Sequence, residues 1–279
     1  MIQKFILING KGEEYDLLSV AKSPTFQIEG FGYTDETEFL GIGNNFVPLE
    51  EREEQRSIEF TALFWQSVDA FYKQFTDHAR HNPLTLLYEN DNGVYYIPCR
   101  LGNVAKTEKV GIDIKGVSVG FKLTGKPYKV ETSECQAAET GGGKIYPYTY
   151  PYTYSSDLVN TLSIKSDSYL DSPCILTIYG QAVNPVWRHY SNGILVETGA
   201  YSGTIPEGHY LVVDAKSVPY SIIEYDSAGR IVADRYALCD FSTERFMHAN
   251  EGRNRYVVSH DGVNNLQLKM EAHIQYETV

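Results

Sequence analysis

From Leu266 to Glu277, apolar and polar residues alternate without a miss. Leu266, Leu268, Met270, Ala272, Ile274 and Tyr276 are interleaved with Gln267, Lys269, Glu271, His273, Gln275 and Glu277. Successive side chains of a strand point to opposite faces, so a period of two held this long demands a strand with one buried and one wet face. The turn-rich stretch Asp261-Gly262-Val263-Asn264-Asn265 follows Arg255-Tyr256-Val257-Val258, so the two runs read as a hairpin. The same logic places Ile58, Phe60, Ala62 and Phe64 on one face, with Glu59 and Thr61 on the other. Turn clusters at Glu89–Gly93, Ser191-Asn192-Gly193 and Asp226–Gly229 separate further short apolar runs. Composition supports strands: 22 Tyr and 12 Phe favour them, and 23 Gly with 11 Pro supply the turns. The fold class is mainly β.

One segment departs from that pattern. Between Ser67 and Arg80 the apolar residues Val68, Phe71, Tyr72, Phe75 and Ala79 fall on a single helical stripe. Ser67 suits the N-cap, Asp69 the positive end of the dipole, Arg80 and His81 the negative end, and Pro83 stops the helix. Strand-like runs at Leu84–Tyr88 and Val94–Ile97 follow, so the helix is embedded in a β domain.

The 279 residues are enough for two domains. The expected division is 1–130, a linker at 131–145 that includes Gly141-Gly142-Gly143, and 146–279. The second part opens on YPYTYPYTY, where Pro147 and Pro151 hold their neighbours extended. Acidic residues outnumber basic ones, 18 to 14 up to residue 130 and 18 to 10 beyond it. The net charge of −12 argues against a sequence-independent nucleic-acid binder, which needs a basic surface. No apolar run is long enough to span a membrane. The start, MIQKFILINGKGEEYD, turns polar too soon for a signal peptide, which suits a product of cytoplasmic synthesis.

Candidate chemistry is thin. Cys99, Cys135, Cys174 and Cys239 lack the spacing of a disulfide framework or zinc site. Thr140-Gly141-Gly142-Gly143-Lys144 lacks the phosphate-loop spacing, with Ile145 where a hydroxyl is needed. Asp77, His78 and His81 could offer a metal ligands from one helical turn, but a polar helix end explains them as well. Asp234, Asp240 and Glu244 could supply a glycosidase pair, and chance pairing is expected among 36 acidic residues. Glu50, Glu51, Glu53 and Glu54, with Arg52 and Arg56, read as a solvated loop or a subunit contact. Trp187, Tyr190 and Tyr201 could stack on a sugar, or equally fill a core or interface. No catalytic, metal or cofactor site is expected, and the chain reads as a non-enzyme.

Several stretches together resemble the distal tail protein (Dit) family of long-tailed phages and prophages. They are RSIEFTALFW (Arg56–Trp65), LTLLY, VYYIPCR, Lys106–Glu108, VGFKLTGKPY (Val119–Tyr128), the tyrosine–proline hinge, and DSPCILTIYGQAVNPVW (Asp171–Trp187) with its Asn184-Pro185. The resemblance implies an N-terminal β-sandwich that forms a six-fold ring continuing the tail tube. It implies a galectin-like β-sandwich at the C-terminus, projecting outward. The partners implied are further copies of the chain (one ring or two stacked), the tail tube protein, the tail-associated tip protein, and receptor-binding or baseplate proteins. DNA would traverse the channel without specific binding, and the location implied is the tail tip of the virion. Asn184-Pro185-Val186-Trp187-Arg188 shares letters, but not order, with the galectin sugar signature, so galectin-like describes the fold only. A carbohydrate-binding adhesin recognising host cell-wall glycan is the alternative reading.

Overall fold

Ile58, Phe60, Ala62 and Phe64 all reach the core of the first unit, and Glu59 between them is exposed. The computed structural model describes residues 4–19, 25–32, 35–53, 55–65, 68–109, 114–135, 160–240, 242, 245–262 and 265–279. It divides into two units, residues 1–129 with 276–279, and residues 130–275.

The first unit begins with β1 (Lys4–Ile8), β2 (Glu14–Asp16), β3 (Thr25–Glu29), β4 (Asp35–Ile42), β5 (Asn45–Glu53) and β6 (Ser57–Trp65). It continues with α1 (Val68–Ala79), β7 (Leu84–Asn90), β8 (Gly93–Lys109), β9 (Ile114–Leu123) and the start of β10 (Tyr128–Cys135). All pairings are antiparallel. The first half of β8 pairs with β7, and with β10 at Tyr96–Tyr128; beyond Cys99 it pairs with β9. One long strand therefore serves two sheets, β2-β1-β7-β8-β10 and β8-β9-β6-β3. Phe5 of β1 meets Phe60 of β6 edge-on at 5.6 Å, so the apolar faces of the two sheets pack together.

Helix α1 lies where its periodicity predicts, with Ser67 outside the described residues. Phe75 and Ala79 are buried and Phe71 and Tyr72 half-buried; Phe75 packs against Tyr15 and Phe64. His78 Nε2 donates to the Leu7 carbonyl at 2.9 Å, tying the helix end to β1. The chain returns to this unit at its end. Tyr276 N donates to the Pro127 carbonyl, its ring meets Tyr95, and Glu277 pairs with Lys126.

The second unit holds β11 (Thr161–Ser166), β12 (Ser172–Tyr179), β13 (Ala182–Val183), β14 (Val186–Ser191), β15 (Ile194–Ala200) and β16 (Thr204–Ile205). There follow β17 (Tyr210–Asp214), β18 (Ser221–Tyr225), β19 (Ile231–Asp234), β20 (His248–Ala249), β21 (Gly252–Ser259) and β22 (Leu268–Gln275). Sheet β19-β18-β17-β12-β22 faces sheet β11-β21-β14-β15 across a core of Trp187, Tyr256, Leu176, Ile178, Leu211, Ile222 and Met270. The turns at Ser191–Gly193 and Asp226–Gly229 form as expected. Asn192 and Gly193 both adopt positive φ, the pair a tight right-twisted hairpin needs.

Two expectations change. Strands β21 and β22 are not a hairpin: β21 pairs with β11 and β14, whereas β22 pairs with β12. The connection between them passes from one sheet to the other, and this buries Tyr256 and Val258 on one inner face and Leu268 and Met270 on the other. The polar side of β22 is also only partly wet, since His273 is buried with its Nε2 on Glu271. As for the linker expected at 131–145, β10 occupies its first residues, to Cys135. The glycine triplet and the tyrosine–proline hinge lie outside the described residues.

None of the four cysteines is in a disulfide. Burial pushes the Cys99 and Cys174 thiols up to about 12 and Cys239 to about 11. Because the thiolate is the nucleophile, iodoacetamide at about pH 8 should label half-exposed Cys135 and spare the other three until denaturant is added. Mass spectrometry of the digest reads this directly; rapid labelling of Cys174 in the native chain would contradict the packing described.

Candidate assembly surfaces

Strands β4 and β5 form a two-stranded ribbon of their own, hydrogen-bonded to no other strand among the described residues. The register sets Leu40 across from Val47, Phe39 across from Pro48, and Ile42 across from Asn45. A two-residue loop, Gly43-Asn44, closes it, with Gly43 in the left-handed region such a turn requires. With side chains alternating between faces, Leu40, Ile42 and Val47 line one face, and Phe39, Phe46 and Pro48 the other; Leu49 is the extra residue of a bulge. All are exposed, Phe46 to 75% and Phe39 to 59%. An isolated hairpin is marginal in water at best, and one apolar on both faces has no stable reason to stand free. This ribbon is built to be covered.

The acidic run Glu50–Glu53, read from sequence as a loop or a subunit contact, is the second half of β5 and pairs with Asp35–Glu38. It is strand, and it continues the ribbon whose tip is apolar. Glu54 lies outside the described residues.

Among the described residues the second unit has open edges too. Strand β15 ends the four-stranded sheet and leaves Ile194, Leu195 and Val196 exposed; β19 ends the other and exposes Ile231 and Val232. Unpaired edges with apolar side chains are templates for another chain.

The other candidates resolve differently. Trp187 and Tyr201 are buried, and Trp187 Nε1 donates to the Arg245 carbonyl at 2.8 Å. A Cβ on Gly199 would intrude on the Trp187 ring, so the indole is fitted to that strand. Two of the three aromatics proposed for a sugar platform are therefore core, leaving half-buried Tyr190. The ring nitrogens of His78 are engaged by Leu7 and Asn9, and His81 faces Lys11. No group of three His, Cys, Asp or Glu with metal-binding geometry occurs among the described residues. Asp234 accepts from the Tyr236 amide and Asp240 from Ser242, each bracing its own turn, and Glu244 lies outside the described residues. The glycine–lysine stretch 140–144 lies outside them as well. Among the described residues no helix is long and apolar enough to cross a membrane.

The buried carboxylates missed in the sequence belong to packing. Glu224 accepts from His209 at 2.6 Å and from Arg235 at 2.8 Å and is only 2% exposed. Burial raises its affinity for a proton, but those two donors outweigh burial and hold it below the usual carboxylate range.

Residues 4–124 match the family model of the distal tail protein N-terminal domain. No curated protein matches the chain. Among solved structures, a chain of the phage P2 baseplate in its activated conformation with calcium is similar over 100% of both chains, with TM-score 0.69 and 17% identity. The Dit protein of phage SPP1, described as a paradigm of hub adsorption apparatus in Gram-positive infecting phages, is similar over 98% of this chain and 99% of that one. Its TM-score is 0.64 and its identity 8%, so what is shared with these structures is the fold.

Proposed function

We propose that this chain, whose residues 4–124 match the family model of the distal tail protein N-terminal domain, is a structural hub of a phage tail tip. It is a component of the virion that acts by joining other tail proteins, and it does no chemistry of its own. The observation that carries the finer reading is the free apolar ribbon β4–β5 on the family-matched unit. In our reading that ribbon crosses to the neighbouring copy and closes a six-fold ring on the tail tube. The second unit, with its apolar edges β15 and β19, is the platform for the tip, baseplate or receptor-binding proteins. A net charge of −12 suits a channel that DNA must cross, because like charge keeps the genome from adhering to the wall. Synthesis in the host cytoplasm before assembly belongs to the same reading.

Light scattering coupled to size-exclusion chromatography of the full chain, with negative-stain images of the peak, tests it. Annuli of six chains, or of twelve where two rings stack, are expected. A chain that stays monomeric at high micromolar concentration and also fails to add to purified tail tubes would overturn the ring. A lytic zone on host cell walls in zymography would overturn the absence of enzymatic activity.

A further inference from the structure

The outer face of sheet β11-β21-β14-β15 gathers cations that the sequence keeps far apart. Lys165 sits across from Arg253, Ser163 across from Arg255, and Arg255 across from Tyr190, so all five side chains share one face. Between them opens a cleft of about 660 Å³, a size usual for small-molecule sites. Arg255 lies over the Tyr190 ring, its guanidinium carbon 4.7 Å from the centroid. A planar guanidinium held against a ring keeps its edge of N–H donors free and oriented for a two-oxygen acceptor.

The side-chain amides around the cleft are already committed. Asn192 accepts from the Arg253 amide and donates to the Glu251 carbonyl. Asn254 turns inward, its Oδ1 on His189 and its Nδ2 on the Asn250 carbonyl. Arg188, further along the face, donates to Ser259 Oγ. Lys165, Arg253 and Arg255, by contrast, form no ion pair among the described residues. They sit together in a part of the chain where acidic residues outnumber basic ones 18 to 10, so the general field does not explain them. A neutral sugar is held by mixed donors and acceptors, and the two side-chain amides that could supply both are spoken for. Three unpaired cations beside a stacked ring call for an anion instead.

We propose that this cleft binds an oxyanion group, phosphate or carboxylate, carried by a small molecule. Arg255 receives it in two-point contact while Arg253 and Lys165 supply the surrounding charge. The site is independent of the hub role, and either can fail without the other.

The test is isothermal titration of the full chain with inorganic pyrophosphate, glucuronate, glucose and hexaglutamate. Pyrophosphate, glucuronate or both should bind, and which of them does so identifies the source of the oxyanion; glucose should be silent. Arg255→Gln should weaken binding roughly tenfold, as expected for loss of a charge-assisted two-point contact, with thermal melting unchanged. Lys165→Gln, on an exposed side chain, serves as a second variant and should weaken binding by a smaller factor. Three results would overturn the proposal: glucose binding as well as the anions, anion binding indifferent to both substitutions, or hexaglutamate binding with both small anions silent. The last would make the face a dock for an acidic protein segment.

Discussion

Leu40→Asp combined with Phe46→Asp should leave the chain folded and monomeric. Each of the six large apolar side chains on β4–β5 gains about 1.5–3 kcal/mol on full burial, so a covered ribbon contributes on the order of 10 kcal/mol to each contact before association costs. Among the described residues nothing draws on that energy, because these side chains stand outside the core of their own unit. An aspartate in the seam removes apolar area and adds a charge that must either keep its water or be buried unpaired. Since Leu40 and Phe46 lie on opposite faces, the single variants say which face meets the neighbour. If both faces are covered, each alone should weaken assembly markedly and the pair abolish it. Sedimentation velocity across a concentration series reads the outcome, and thermal melting of the same samples checks the fold. A double variant that still forms rings would remove the ribbon from the interface and shift attention to the strand edges of the second unit.

What could be read from the sequence follows the range of the signal that carried it. Alternation at Ile58–Phe64 and the stripe from Phe71 to Ala79 are local, and both elements stand where they were expected. Turn chemistry is local too, so Ser191-Asn192-Gly193 marked a turn correctly. The stretch 261–265 carries the same residue types yet crosses between sheets, because a turn signal does not say which sheet receives the next strand. The apolar ribbon was missed for a related reason. Phe39–Leu49 holds as many hydrophobic residues as a core strand, and only the packing of everything else reveals that they are left outside. The meeting of Lys165 with Arg253 and Arg255 depends on the register of β11 against β21, which one chain does not display. For Trp187 the sequence left a sugar platform and a core position both open, and the structure places it in the core.

Replacing Glu197 with Gln should cost the second unit about 1.5–3 kcal/mol at neutral pH, the usual worth of hydrogen bonds to a charged group. Glu197 is only 11% exposed and serves three donors: its Oε2 meets His189 Nδ1 at 2.8 Å and the His248 amide at 3.0 Å, and its Oε1 meets His248 Nδ1 at 3.0 Å. His189 is wholly buried, and its other nitrogen faces Asn254 Oδ1 at 2.9 Å. The orientation of that amide is fixed by its own bonds to Asn250. Both nitrogens of His189 thus face oxygen acceptors, and a glutamine at 197 would replace one of them, a carboxylate, with an amide. Burial alone would raise the Glu197 carboxyl, but the hydrogen bonds from His189 and His248 outweigh it and hold the group below its ordinary value of 4.5. A carboxylate depressed on folding stabilises the native state above its unfolded pKa. That contribution is present at pH 7 and drains away as pH falls below 4.5 through the lower folded value. Glu224, depressed for the same kind of reason, adds to the acid sensitivity of the unit, so its loss should remain in the variant. The gap in urea stability between wild type and Glu197→Gln should therefore be wide at neutral pH and narrow steadily below 4.5. Fluorescence of Trp187 in a Trp65→Phe background follows the second unit by itself, since these are the only two tryptophans. A gap that stays constant from neutral pH into acid would mean that shape, and not the charge on Glu197, is what the core requires there.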